Sequence, residues 1–99
     1  MATTTATTIF DQIFVRIIKE QELVIGPLAW EEAKKVAGLT VVNQQAGEVS
    51  FQGDGKEILS KLVAQYSRLF GKVSEQVCKE AAQSLLVELP SDQIPDTLK

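Results

Sequence analysis

Two stretches of helical apolar periodicity, each broken at a glycine, and a pair of β-prone runs between them predict a mostly helical α+β fold in the order α-α-β-β-α-α. A third observation concerns how the two helical stretches relate. Ile25-Gly26-Pro27-Leu28-Ala29 and Phe70-Gly71-Lys72-Val73-Ser74 stand 45 positions apart, and the register holds on both sides. Upstream, Ile13/Ile58, Phe14/Leu59, Ile17/Leu62, Ile18/Val63 and Val24/Leu69 are apolar pairs; downstream, Ala33/Cys78, Val36/Ala81 and Ala37/Ala82 match in type or identity. The expected architecture is two helix hairpins flanking a central β-hairpin, with a pseudo-twofold repeat as a further expectation. One globular domain is expected over residues 9–89, between flexible tails at 1–8 and 90–99.

The first helix is expected from Ile9, where apolar residues fall at 9, 10, 13, 14, 17 and 18, with Thr7 or Thr8 as its cap. Gly26-Pro27 breaks it, because glycine reaches backbone conformations other residues avoid and proline suits a new first turn. A second helix follows over about 28–37, with Glu31 and Glu32 early and Lys34 and Lys35 late, the order that complements the helix dipole. Residues 39–43 and 48–52 then form strands joined by Gln44-Gln45-Ala46-Gly47, a hairpin loop suited to a type I turn. Alternation places Val49 and Phe51 on one face. Asp54 is expected to cap the third helix, with Glu57 three residues on as in a capping box. That helix runs to Phe70 and buries Ile58, Leu59, Leu62, Val63, Tyr66, Leu69 and Phe70. The fourth, about 73–88, buries Val73, Val77, Cys78, Ala81, Ala82, Leu85 and Leu86, and Pro90 stops it.

Composition narrows the function. Ninety-nine residues at 44% apolar content suffice for one modest core. Histidine is absent, which removes the commonest general base and metal ligand together; no metal and no cofactor are expected. Cys78 is the only cysteine, so no internal disulfide forms and a cytoplasmic setting is expected. With nothing to activate it, Cys78 is read as a small core hydrophobe. A net charge of −3 and ten scattered Lys and Arg residues disfavour a nucleic-acid partner. Gly53-Asp54-Gly55-Lys56 lacks the spacing of a phosphate loop, and a turn with a helix cap explains it. The start of the chain lacks the basic residues of a secretory signal, and the charges within residues 9–25 argue against a membrane span. Close acidic neighbours, Glu20/Glu22 and Glu31/Glu32, are read as solvated faces.

Three residues break the pattern. Val15 and Leu23 lie off the main stripe of the first helix, and Trp30 pairs in the repeat with Glu75, a surface-type position. Each is apolar in one half and polar in the other. Trp30 is either a peripheral core aromatic closing against the hairpin or a contact residue. The segment Glu22-Leu-Val-Ile-Gly-Pro-Leu-Ala-Trp30 is similar to Ile-Gly-Pro-apolar-Ala stretches in C-terminal helical segments of some bacterial signalling proteins; the resemblance implies a bacterial regulatory or scaffold setting. The function expected is therefore non-catalytic: a protein-interaction module, self-associating as a homodimer, with Val15, Leu23 and Trp30 as its contact residues. A small-ligand-binding regulator is the alternative, and a weak DNA-binding module a more distant one.

Overall fold

A computed structural model describes residues 5–95 and residue 98. The elements follow the expected order: α1 (Thr5–Ile25), α2 (Leu28–Ala33), β1 (Leu39–Asn43), β2 (Glu48–Phe51), α3 (Gly55–Phe70) and α4 (Lys72–Leu86), then a 3-10 turn at Ser91–Gln93. α1 begins a turn earlier than its apolar stripe, so Thr7 and Thr8 lie inside the helix. The expected tail over residues 1–4 falls outside the described residues. α2 is one and a half turns long and stops at Ala33; Lys35 and Val36 continue in tighter turns, bonded to the carbonyls of Glu32 and Ala33. Asp54 caps α3 as its sequence suggests, its side chain accepting from the Lys56 N–H at 3.1 Å.

The core is the shared inner face of α1, α3 and α4, closed by α2. α1 contributes Ile9, Phe10, Ile13, Phe14, Ile17 and Ile18; α3 contributes Ile58, Leu59, Leu62, Val63 and Tyr66; α4 contributes Cys78, Ala81, Ala82 and Leu86. The antiparallel hairpin pairs Leu39 with Phe51, Thr40 with Ser50 and Val41 with Val49, and slips register between Val41 and Asn43. The Asn43 side chain accepts from the Ala46 N–H, and Gly47 donates to the Gln44 carbonyl, which closes the loop. Phe51 fastens the ribbon to α1, its ring edge-on to Phe14 at 5.3 Å and to Phe10 at 5.9 Å.

Two expectations about the core's extent are corrected. Val24, Leu69 and Val73, assigned to apolar faces by periodicity, are exposed; each stands one residue from the end of its own helix, at a break. The segment 90–99 is not a loose tail over its described part: Ile94 packs against the core, Pro95 is buried, and Leu98 is only 3% exposed.

Candidate functional site

Both helix breaks lie at one end of the molecule. Gly26 and Gly71 take the left-handed conformations glycine favours, with φ of 75° and 83°. Each donates its N–H four residues back, Gly26 to Glu22 and Gly71 to Ser67, both at 2.8 Å, and each carbonyl accepts from the residue three on, Ala29 and Ser74. The two breaks are also cross-tied. The Gln21 amide donates to the Ser74 carbonyl at 2.8 Å, and the Tyr66 hydroxyl donates to the Ala29 carbonyl at 2.7 Å. Position 21 of α1 reaches the start of α4, while position 66 of α3 reaches the start of α2. Gln21 and Tyr66, like Ala29 and Ser74, stand 45 positions apart in the sequence. Both donors are completely buried. Burial raises the Tyr66 phenol, the nearby Cys78 and Glu32 adding to it, so the hydroxyl stays a donor at neutral pH.

Around these breaks the surface is apolar. Leu23 (81% exposed) and Val24 project from the last turn of α1, Leu28 from the start of α2, Leu69 from the end of α3 and Val73 (71% exposed) from the start of α4. Val24 and Leu69, and Leu28 and Val73, occupy matching positions of the near-repeat. Leu23 and Val24 line a groove along the α1–α4 seam with Val77 and Ala81 of α4, and the charged Arg16, Glu20 and Glu80 make up the rest of its wall. Glu20 and Glu22 border this end on the α1 side, Arg68 and Lys72 on the side of α3 and α4.

Of the three residues singled out by sequence, Leu23 and Trp30 line one groove, with Lys19, Glu20, Glu22 and the hairpin-loop residues Gln44 and Gln45, and Val15 lies apart from them. Leu23 is part of the exposed end. Val15 is half-buried in a second groove, of about 490 Å³, between α1 and the hairpin, where Val42, Val49 and Leu85 also line the wall. Asp11 sits in the same groove with one carboxylate oxygen buried and unpartnered, and burial raises its pKa. Trp30 departs from the surface position that its match with Glu75 suggests. It is 1% exposed, packed in the core, and its indole N–H has no partner. The cause is the brevity of α2: a helix this short buries its largest side chain to hold its place at all. Sequence reading missed Val24, Leu28, Leu69 and Val73 as surface residues, although the matched pairs flanking both glycines were visible.

Cys78 lies in the core, and burial pushes its thiol up to about 11, against the opposing hydrogen bond from Gln21 at 3.3 Å. It therefore presents no thiolate at neutral pH. Glu32, grouped by sequence with the solvated carboxylates, is buried instead, accepting from Gln65 at 2.7 Å and from Lys35 at 3.1 Å. Among the described residues there is no cluster of three or more side chains placed to hold a metal ion, and no helix is long and apolar enough to cross a membrane. No protein-family model, curated protein or solved structure matches the chain.

Proposed function

We propose that this chain is a non-catalytic interaction module that associates with a second copy of itself through the end carrying both helix breaks. The observation behind this reading is that Leu23, Val24, Leu28, Leu69 and Val73, five large apolar side chains that the protein's own core does not cover, each stand within three residues of one of the two glycine breaks. Solvated apolar surface of this kind is the ordinary mark of a contact face. The choice of a second copy rests on charge. The end is bordered by Glu20 and Glu22 on one side and by Arg68 and Lys72 on another, so a twofold arrangement sets acidic border against basic border. The cross-tied bonds of Gln21 and Tyr66 hold the four helix ends rigidly, which lowers the ordering cost of association. Five side chains make a small interface, so the dimer is weak, with a dissociation constant in about the micromolar range.

Sedimentation velocity across a concentration series tests this. The expected result is a monomer–dimer equilibrium that Leu23→Glu with Val73→Glu abolishes, with unchanged circular dichroism because both sites are solvent-exposed. A wild-type chain that stays monomeric up to about 1 mM, or a double variant that associates as before, overturns the reading.

A second reading, a small-ligand regulator, is favoured by one feature only: the buried, unpartnered Asp11 oxygen in the groove beside Val15. Such an acceptor suits an amine carried on an apolar body. A thermal-shift series with alkylamines of increasing chain length separates the two readings. Stabilisation of wild type but not of a groove-filling Val15→Phe variant supports a ligand; none in either disposes of it.

A further inference from the structure

Three cations distant in sequence converge on one pocket. Lys35 follows α2, and Lys61 and Arg68 stand two turns apart on one face of α3. Together with Gln65 they line a cavity of about 350 Å³ between the two elements, over an apolar floor that includes Val36 and Ala64, and no carboxylate is part of its lining. This is an unusual gathering in a chain with 13 acidic against 10 basic residues.

The cations are held in place from both walls. Arg68 donates to the Gln65 carbonyl oxygen at 2.8 Å, and Gln65 in turn donates to Glu32 at 2.7 Å. The same Glu32 carboxylate accepts from Lys35 at 3.1 Å. A continuous chain of hydrogen bonds therefore runs from α3 across to the end of α2. These groups hold Glu32 ionised, its pKa lowered by Gln65 first, then by Lys35, with Arg68 adding its charge. Lys61 pairs with Glu57, one turn back along α3, at 3.3 Å. Neither lysine is consumed by its partner. Lys35 keeps 64% of its side chain exposed although its partner Glu32 is buried, so its outer N–H donors face solvent, and Lys61 keeps 50% in a pair exposed on both sides and weak enough to share with an incoming anion. Arg68 spends one of its five N–H donors on Gln65, and the fork remains available.

We propose that this pocket binds an oxyanion carried by a small organic molecule, with the phosphate or carboxylate group between Lys35, Lys61 and Arg68 and the organic portion against Val36 and Ala64. Charge-assisted hydrogen bonds from three converging cations suit a multiply charged oxyanion better than a monovalent one. The apolar floor suits an organic carrier better than a free ion. This site shares only Arg68 with the borders of the self-association surface, so the two proposals stand or fall separately.

Amide chemical shifts of the full chain, followed during titration with pyrophosphate, with citrate, and with sodium chloride at matched ionic strength, test it. The expected result is saturable shifts confined to residues 35–37 and 61–68, produced by pyrophosphate, citrate or both but not by chloride. Response to one anion alone identifies the oxyanion class. Lys61→Ala with Arg68→Ala is expected to weaken binding by about tenfold for each cation removed. Lys35→Gln, which leaves α3 intact, is expected to weaken it independently, whereas Lys79→Ala on α4 leaves it unchanged. Shifts spread over all the basic residues, equal effects of chloride, or affinity unaltered in Lys35→Gln and in the double variant overturn the proposal.

Discussion

Replacing Tyr66 by phenylalanine removes one hydroxyl, and with it the bond to the Ala29 carbonyl. The ring stays in the core, so the loss is that of a single buried neutral hydrogen bond, about 1 kcal/mol by denaturant unfolding. Glu32 is a different kind of buried polar residue, because its contribution depends on charge. Its folded pKa lies below 4.5, so the stability it supplies is present above that value and is lost as the pH falls through the folded pKa. Glu32→Gln is therefore expected to be less stable than wild type at about pH 7, with the difference shrinking as the pH falls below 4.5 and through the lowered folded pKa, measured as urea midpoints. Glu32 was not legible in the sequence as a buried residue, and Trp30 was legible only as one of two readings, a peripheral core aromatic or a contact residue. A glutamate next to another glutamate looks solvated until Gln65, on a different helix, supplies a donor. An aromatic paired with a polar residue in the repeat looks peripheral until α2 proves too short to spare it.

Helices and strands were the legible level. Periodicity, the glycine breaks and the Asp54 cap located the four helices and both strands, because each signal is local and depends on neighbours within a turn or two; the 3-10 turn at Ser91–Gln93 gave no such signal. Boundaries were less so: α1 starts earlier and α2 ends sooner than their patterns imply. Two glycines separate two reasons for their presence. At Gly71 a Cβ would meet nothing within 4 Å, so Gly71→Ala costs only the backbone conformation, φ 83° with ψ −166°, a region nearly confined to glycine, about 1–3 kcal/mol. At Gly55 a Cβ would run into the Phe10 ring, so Gly55→Ala forces α3 away from α1. The cost there is about 1–3 kcal/mol, with disturbance of the Phe10–Phe51 contact visible in aromatic proton shifts. An unchanged Phe10–Phe51 contact in Gly55→Ala, or a disturbed one in Gly71→Ala, would contradict this assignment of causes.

At the scale of the whole molecule, the fold class and element order follow from the pattern, but the limits of the core do not. Periodicity tells which face of a helix is apolar; it does not tell where along the helix the cover stops. That is why Val24, Leu69 and Val73 looked internal and are not. The opposite error occurs after Pro90, where an aperiodic segment looks loose yet brings Ile94, Pro95 and Leu98 onto the core. Shortening the chain to end at Leu89 is expected to lower stability by about 1.5–3 kcal/mol, the burial of one leucine side chain, read as a reduced urea midpoint. The three cations of the α2–α3 pocket were hidden for a related reason, since Lys35 and Arg68 become neighbours only through tertiary packing.

The paired bonds from Gln21 to Ser74 and from Tyr66 to Ala29 span 53 and 37 residues. Each helix pair lends its inner donor to the other, so neither pair is complete alone. During synthesis on a ribosome, the first pair must wait until the second has emerged before its buried amide finds a partner. The same dependence makes the protein a natural candidate for division: two fragments cut in the loop before Asp54 should be poorly ordered apart and recover the native spectrum when mixed. Folding here is an act of mutual completion between halves, with no finished half to serve as a template for the other.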